Sequence, residues 1–343
     1  MGLADGKMEK KQVVTIKDVS DRAGVAISTV SRVLNDLDRV SDETREKVKK
    51  AAEELGYVKN SIAASMKTGK SRMIVVIVPD IINEYYTAVI QGVEEIASAS
   101  DYYTMVFSSK DSHIKEEELF SGELGRVIDG AIIIPAYDDL RYYRNISKPV
   151  VIIDRYVSGS DMQAVVIDNY KGSRLLTEEL IAAGHKKIAL ITGAMEFNMG
   201  IERVRGYRDA LEAHGIVREP EYEKIGHWYE DHGYCSVKEL LQQKNPPTAI
   251  FAANNLLCIG CIKAIRGAGL IIGKDISLVG FDDSSVAELV EPGITVIRRA
   301  TVEMGKIGMQ KLLDVINKSK KPVYPKKVVL DVELVRRQSV GKV

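Results

Sequence analysis

The chain has 343 residues, 48 basic and 48 acidic side chains, a formal net charge of zero and 45% hydrophobic residues. These are globular proportions with ample chain for a core, and they exclude a disordered, collagen-like or coiled-coil protein. The length implies two or three domains. Three cysteines, at 235, 258 and 261, are too few and of the wrong parity for a disulfide framework and fit a reducing compartment. No apolar run reaches the roughly 18 residues of a membrane span. The opening MGLADGKMEKKQVV lacks the apolar core of a signal peptide, so no membrane contact and a cytoplasmic location are expected.

Neutrality is an average over two parts. Residues 1–72 hold 15 Lys/Arg and 11 Asp/Glu, whereas the remainder holds 33 and 37. A small basic head on a mildly acidic body is compatible with a polyanion meeting the head alone. A solvated charged surface explains the same surplus equally well.

The head reads as three short helices. Thr15 caps the first and Asp18 follows three residues on, a capping-box spacing. Ile16, Val19 and Ala23 give it one apolar face, and Gly24 breaks it. Ser28 opens a second helix, STVSRVLN, with Val30, Val33 and Leu34 inward. Ser41 or Asp42 starts a third that runs through Leu55 and ends at Gly56. A short helix, a Gly-containing turn and a second helix form the helix-turn-helix pattern. In that geometry the second helix enters the DNA major groove and its first residues meet base edges. Ile27 would face a thymine methyl, Ser28 a base or phosphate, and Arg32 a guanine or phosphate.

The segment from Thr15 to Asn60, TIKDVSDRAGVAISTVSRVLNDLDRVSDETREKVKKAAEELGYVKN, resembles the headpiece of the lactose/galactose repressor family of bacterial transcriptional regulators. The resemblance implies DNA contacts by Thr15, Ile27, Ser28, Thr29, Ser31, Arg32 and Asn35. It also implies a hinge helix at Ser61 to about Lys67, contacting the minor groove through Asn60, Ala63 and Met66. The hinge departs from the family's run of Pro-Asn, Ala-Arg, any residue, Leu. Lys59 replaces the proline, Ala64 the arginine and Met66 the intercalating leucine. Met66 is apolar and flexible and keeps the wedge physically possible.

Past Ser71 the chain alternates apolar strand runs with helical stretches: MIVVIVPD, NEYYTAVIQGVEEIASAS, YYTMVFSS, VIDGAIIIPA and PVVIIDR. The scheme repeats in KKIALITG, RVRGYRDALEAHG, TAIFAANN, GCIKAIRGAG and ISLVGFDD. Such repetition predicts parallel sheets covered on both faces, in two lobes, with ligand at the carboxyl ends of the strands. The runs GHKKIALITG (184–193), RVRGYRDALEAHGI (203–216) and ISLVGFDD (276–283) extend the family resemblance over this body. The implied fold is a small all-α helix-turn-helix headpiece plus a periplasmic-binding-protein-like α/β core of two lobes. The expected layout is an extension at 1–13, the DNA-binding domain at 14–60, hinge and linker at 61–72, and the effector and dimerisation domain at 73–343. Three crossings between lobes are expected near Asp168, Pro292–Val296 and Pro325–Val328. The lobes would then be about 73–167 with 296–326, and 168–292 with 327–338.

The resemblance also implies an effector cleft lined by Asp80, Tyr86, Asp154, Arg203, Trp228, Asn254 and Asp282. Arg203 supplies a fork of donors, Asp154 and Asp282 accept from hydroxyls, and Trp228, the single tryptophan, stacks on a sugar face. Each has a plain structural alternative: a lobe ion pair for Arg203, a helix cap for Asn254, core packing for Trp228. Cys258 and Cys261 sit in an apolar helix without a second Cys/His pair and read as core residues. No metal site, catalytic group or cofactor is expected: VPDIIN after the first strand lacks the glycines of a dinucleotide fingerprint. The reading that results is a repressor that binds a pseudo-palindromic operator in double-stranded DNA as a homodimer, controlled by a small sugar or sugar derivative. The alternatives are a non-regulatory sugar-binding module, or a regulator controlled by a purine or by a phosphorylated carrier protein. A protein co-regulator is not indicated by any residue.

Overall fold

The computed structural model describes residues 14–34, 40–57 and 70–343. The chain divides into two compact units, Met1–Ser71 and Arg72–Val343. Among the described residues, no helix is long and apolar enough to cross a membrane.

The first unit holds α1 (Ile16–Ala23), α2 (Ile27–Leu34) and α3 (Asp42–Leu55). Thr15 and Asp18 close the capping box at the start of α1, with the Thr15 amide donating to Asp18 Oδ2 at 2.7 Å. Gly24 ends α1 at φ 65°, a left-handed conformation that glycine adopts without strain. The Ser20 hydroxyl donates to the Val25 carbonyl at 2.6 Å and fixes the turn into α2. α2 starts at Ile27, one residue earlier than the sequence suggested. Ser41 caps α3, and Gly56 follows it. Val19, Val30, Val33, Val48, Ala51 and Ala52 form the core, one stripe from each helix.

The second unit builds two sheets. β1 (Met73–Val78), β2 (Tyr103–Ser108), β3 (Gly130–Ile133), β4 (Val150–Ile153) and β5 (Gln163–Ile167) alternate with α4 (Glu84–Ala99), α5 (His113–Ser121) and α6 (Glu123–Val127). Then follow α7 (Asn169–Ala182), β6 (Ile188–Thr192), α8 (Asn198–Ala213), β7 (Glu223–Ile225), α9 (Glu230–Leu241), β8 (Ala249–Ala252), α10 (Asn255–Gly267) and β9 (Ser277–Phe281). α11 (Ser285–Leu289), β10 (Thr295–Arg299), α12 (Thr301–Ile316), β11 (Lys327–Leu330) and β12 (Val332–Val335) complete the chain. The first sheet runs β11-β5-β4-β3-β1-β2 and the second β12-β10-β9-β8-β6-β7. All pairs are parallel except β10 with β12. Central strands such as β3, β6, β8 and β9 are buried along their whole length, which is why they read as unbroken apolar runs.

Two of the three crossings differ from the sequence expectation. The first lies where β5 gives way to α7, capped by Asp168. The second lies at Ala300, after β10, and not at Pro292–Val296. Val296 and Ile297 are buried and pair in parallel with Gly280 and Phe281 of β9, so β10 belongs to the second sheet. Pro292 stands in the turn that leads into that strand. The chain returns to the first lobe with α12, which packs on α4, β3, β4 and β5. The third crossing is Asp331, not Pro325–Val328. The run VVLDVELV looks like one strand but is two: β11 pairs with β5 and β12 with β10. Asp331 divides them, its carboxylate held by Lys171 at 2.6 Å and turned onto the Val332 amide.

Candidate functional site

In the first unit, α2 exposes Ile27, Ser28 and Arg32, with Thr29 and Ser31 half-buried. Burial of Val30 and Val33 fixes this orientation through the helical period, and Ser28 and Arg32, four residues apart, share a face. Ile27 is 46% exposed, so its apolar side chain is accessible at the start of α2. Thr15 is exposed and occupied as the α1 cap. Asn35, Asn60, Ala63 and Met66, together with the hinge features at Lys59 and Ala64, lie outside the described residues.

In the second unit the carboxyl ends of strands from both sheets converge. Asp154 follows β4, Asp282 follows β9, and Arg299 ends β10. Arg299 Nη1 donates to Asp154 Oδ1 at 2.8 Å, and its Nη2 pairs with Asp282 Oδ1. The bridge therefore joins the lobes through groups that are 4–8% exposed. The Arg299 guanidinium lies 3.6 Å from the Tyr85 ring centroid. Asp282 Oδ2 also accepts from the Asn255 amide at 3.2 Å.

Arg203 is 1% exposed. Its Nε donates to Asn169 Oδ1 at 2.9 Å, its Nη1 donates to the Ala253 carbonyl, and its Nη2 is buried without a hydrogen-bond partner. The guanidinium stacks 3.7 Å from the Phe281 centroid and 5.8 Å from that of Trp228. Trp228 in turn lies over Gly193: a Cβ there would fall 2.1 Å from Trp228 Cδ2, so only glycine admits the ring. Asn254 caps α10 through Leu257 N at 2.7 Å and donates to the Trp228 carbonyl at 3.0 Å. It positions the tryptophan loop against the strand ends.

Further contacts surround the bridge. Within the first lobe Arg155 pairs with Asp111 at 2.5 Å, and across the lobes the Tyr229 hydroxyl donates to the other Asp111 oxygen at 2.8 Å. Arg155 also donates to the Tyr86 hydroxyl at 3.4 Å and stacks on Phe197. The Asn255 side chain donates to Asn83 at 2.8 Å, and Glu84 accepts from the Ser285 amide and hydroxyl. Asp80 turns onto the Ile82 amide at 2.9 Å and takes no part in the cluster. Asp111, Asp154 and Asp282 have φ of 53°, 67° and 80°, backbone conformations uncommon outside glycine and concentrated at functional loops.

Burial and then the nearby Arg299 charge lower the Arg203 pKa to about 10. Burial also pulls Arg299 down, but Asp282, Tyr85 and Asp154 more than reverse it and hold that side chain charged. Burial raises Tyr86 to about 12, so it is a neutral hydroxyl at working pH. Two recesses share the bridge. One of about 530 Å³ is lined by Glu84, Tyr85, Asn255, Asp282, Arg298 and Arg299. The other, about 230 Å³, is lined by Asp154, Asn169, Met199, Glu202 and Lys327. Among the described residues, no three His, Cys, Asp or Glu side chains are grouped to hold a metal, and Cys258 and Cys261 are buried in α10.

A model described as bacterial regulatory proteins, lacI family, matches residues 15–60, and one for a periplasmic binding protein-like domain matches residues 177–340. Over 332 residues the chain is 33% identical to the HTH-type transcriptional regulator RegA of Clostridium saccharobutylicum, covering 95% of this chain and 98% of that protein. The chain belongs to the lacI family of bacterial regulatory proteins. Among solved structures, the lac repressor dimer bound to operator and the anti-inducer ONPF matches this lacI-family chain with a TM-score of 0.85 at 26% identity, over 96% of this chain and 99% of that one. The CelR–cellobiose complex matches with a TM-score of 0.71 at 30% identity, over 95% and 99%. Like its relatives, this lacI-family protein is a helix-turn-helix regulator of transcription and not an enzyme.

Sequence reasoning brought Asp154, Arg203, Trp228 and Asp282 to one place, with Tyr86 and Asn254 beside them. It missed Arg299, which binds both carboxylates, and Asn169, Tyr85 and Phe281, which hold the arginines. A signal for Arg299 existed: a charged pair, Arg298-Arg299, ends the apolar run TVI, at the strand end where such sheets take ligands. Placing it required knowing that β10 lies in the second sheet.

Proposed function

We propose that the protein is a ligand-responsive transcriptional repressor. It binds a pseudo-palindromic operator as a homodimer, and a small sugar or sugar derivative between the two lobes of the second unit sets its affinity for DNA. The observation that carries this reading is the Asp154–Arg299–Asp282 bridge. Polar groups from both lobes meet at a few buried atoms, so a ligand that satisfies them differently changes how the lobes are held. The relatives support this reading: one matched structure is a complex with cellobiose, and another is a dimer bound to operator and the anti-inducer ONPF. Arg203, Asp154 and Asp282 are assigned to ligand hydroxyls and charges, Trp228 to the sugar face, Asn254 to holding the Trp228 loop, and Tyr86 and Asp80 to the cleft rim. In the head, Ile27, Ser28 and Arg32 read bases, while Thr15, Thr29 and Ser31 contact the backbone. Asn35, Asn60, Ala63 and Met66 complete the DNA surface. A chromosomal target places the protein in the cytoplasm.

The test is operator binding by the full chain, using a DNA fragment recovered by in vitro selection and read by fluorescence anisotropy. At least one sugar or sugar derivative in a screen should change the operator Kd by roughly five-fold or more. A ligand that binds the protein and leaves operator affinity unchanged would refute the coupling.

A further inference from the structure

The chain enters the second unit at Arg72. Arg72 has a φ of 59°, a left-handed conformation that a long L side chain adopts only when its surroundings impose it. Arg72 is exposed, so burial is not the cause. Its polar contacts are the cause. The Arg72 amide donates to Asp129 Oδ2 at 3.0 Å, and Nη1 donates to the Ser100 carbonyl at 3.1 Å. The Arg72 carbonyl accepts from the Tyr103 amide at 2.8 Å. The guanidinium lies 5.5 Å from the Tyr102 ring centroid. Tyr102 is buried, and its hydroxyl shares the Asp129 carboxylate. Burial and then that charge raise the Tyr102 pKa, which keeps the hydroxyl a donor.

Asp129, Arg72 and Tyr102 each stand one residue before a strand, namely β3, β1 and β2. These strands are neighbours in the first sheet and run parallel. The three side chains therefore clasp the amino ends of three strands around the peptide group through which the chain enters. The carboxyl ends of β1 and β2 lead to residues that meet the other lobe. After β1, Asn83 accepts from Asn255, and after β2, Asp111 accepts from Tyr229. Six residues in each strand span roughly 20 Å between the two ends. We infer that Asp129, acting through Arg72 and Tyr102, is a positioning residue that couples the head to the lobe junction. It fastens the entry peptide to the first sheet, so a displacement of that lobe is passed along the chain. Without the clasp, rotation at Arg72 would absorb the displacement, as a single residue does at a hinge.

This inference rests on the coupling proposed above, and the experiment separates the two. Coupling is reciprocal, so operator DNA itself serves as the probe and no effector is needed. Hydrogen exchange read by mass spectrometry follows the full chain with and without the selected operator fragment. In the native chain, operator should slow exchange in the head and also, by about three-fold or more, in residues 80–86 and 226–232 at the lobe junction. Asp129→Ala removes the acceptor for Arg72 and Tyr102, so protection at the lobe junction should disappear while protection of the head remains. Asp129→Asn keeps an acceptor oxygen for the Arg72 amide and should retain the native pattern. Arg72→Gly adopts the same φ without strain but loses the guanidinium contacts, and it should behave as Asp129→Ala does. Lobe-junction protection that survives in a folded Asp129→Ala or in Arg72→Gly overturns the clasp and leaves the coupling intact. A loss in Asp129→Asn as large as that in Asp129→Ala overturns the assignment to the Arg72 amide bond. Operator binding that leaves the native lobe junction unchanged, or a chain that selects no operator, removes the coupling and the clasp together.

Discussion

Arg299 has carboxylates from two lobes on its two Nη atoms and the Tyr85 ring on its face. Removing it leaves Asp154 and Asp282 buried together with no cation between them. Breaking a buried ion pair from one side costs about 3–5 kcal/mol, because the remaining charge is left uncompensated. Arg299→Met should therefore lower the urea-derived unfolding free energy of the full chain at pH 7.5 by an amount in that range. A loss below about 1 kcal/mol, the size seen for solvated pairs, would mean that water reaches both carboxylates. Asp154, Asp282 and Arg203 were legible in the sequence as cleft candidates through the family resemblance of the body. The unpaired Nη2 of Arg203 was not, since it depends on which neutral groups the fold places around the guanidinium.

The strand ends are held by the elements behind them, and α5 gives the clearest case. Glu116, buried on α5, accepts from the Ala136 amide at 2.9 Å and from the Tyr143 hydroxyl at 2.8 Å. This fixes the loop after β3 whose Pro135 carbonyl accepts from Arg155. Burial raises the Glu116 pKa from 4.5 to about 7, against the two hydrogen bonds and Arg155, which lower it. The folded state therefore binds this proton more tightly than the unfolded chain. The stabilisation is complete below the unfolded value and is lost as pH rises through about 7. Glu116→Gln mimics the protonated form: its carbonyl accepts from Ala136 while its amide donates to Tyr143, whose hydroxyl can turn to the Tyr137 carbonyl at 3.3 Å. Urea midpoints measured from pH 5 to 8.5 should decline with pH in the native chain and decline less in the variant, with the gap widest at the alkaline end. Parallel curves would show that Glu116 does not titrate in this window. At this scale the sequence located the three head helices by period and caps, and β1–β4, β6, β8 and β9 by their apolar runs, but it assigned no element to β5, α5, α7, α9, β10 or α12. It also failed where one continuous pattern served two sheets, at Asp331.

For the molecule as a whole, the charge surplus of residues 1–72 and the division at Ser71 describe two units, a basic head with its own core and a two-sheet body. Deleting residues 1–60 should abolish operator binding, measured by anisotropy, and leave the calorimetric affinity for an effector within about two-fold, because no residue of the lobe-junction cluster lies in the head. Loss of effector affinity on that deletion would show that the two activities are not modular.

By itself the sequence determined the helix-turn-helix head, through the cap at Thr15, the break at Gly24 and the exposed start of α2. It also determined the α/β character of the body, through buried apolar runs of strand length. Those features are written in neighbouring residues, where period, caps and turns operate. The tertiary structure alone decided that β10 joins the second sheet and β11 the first, and that Arg299 there meets an aspartate from each lobe. The separation along the chain explains this: Asp154 and Arg299 are 145 positions apart. What joins them is the pairing of one buried guanidinium with a carboxylate from each lobe, which offsets the desolvation of all three charges and which no local pattern records.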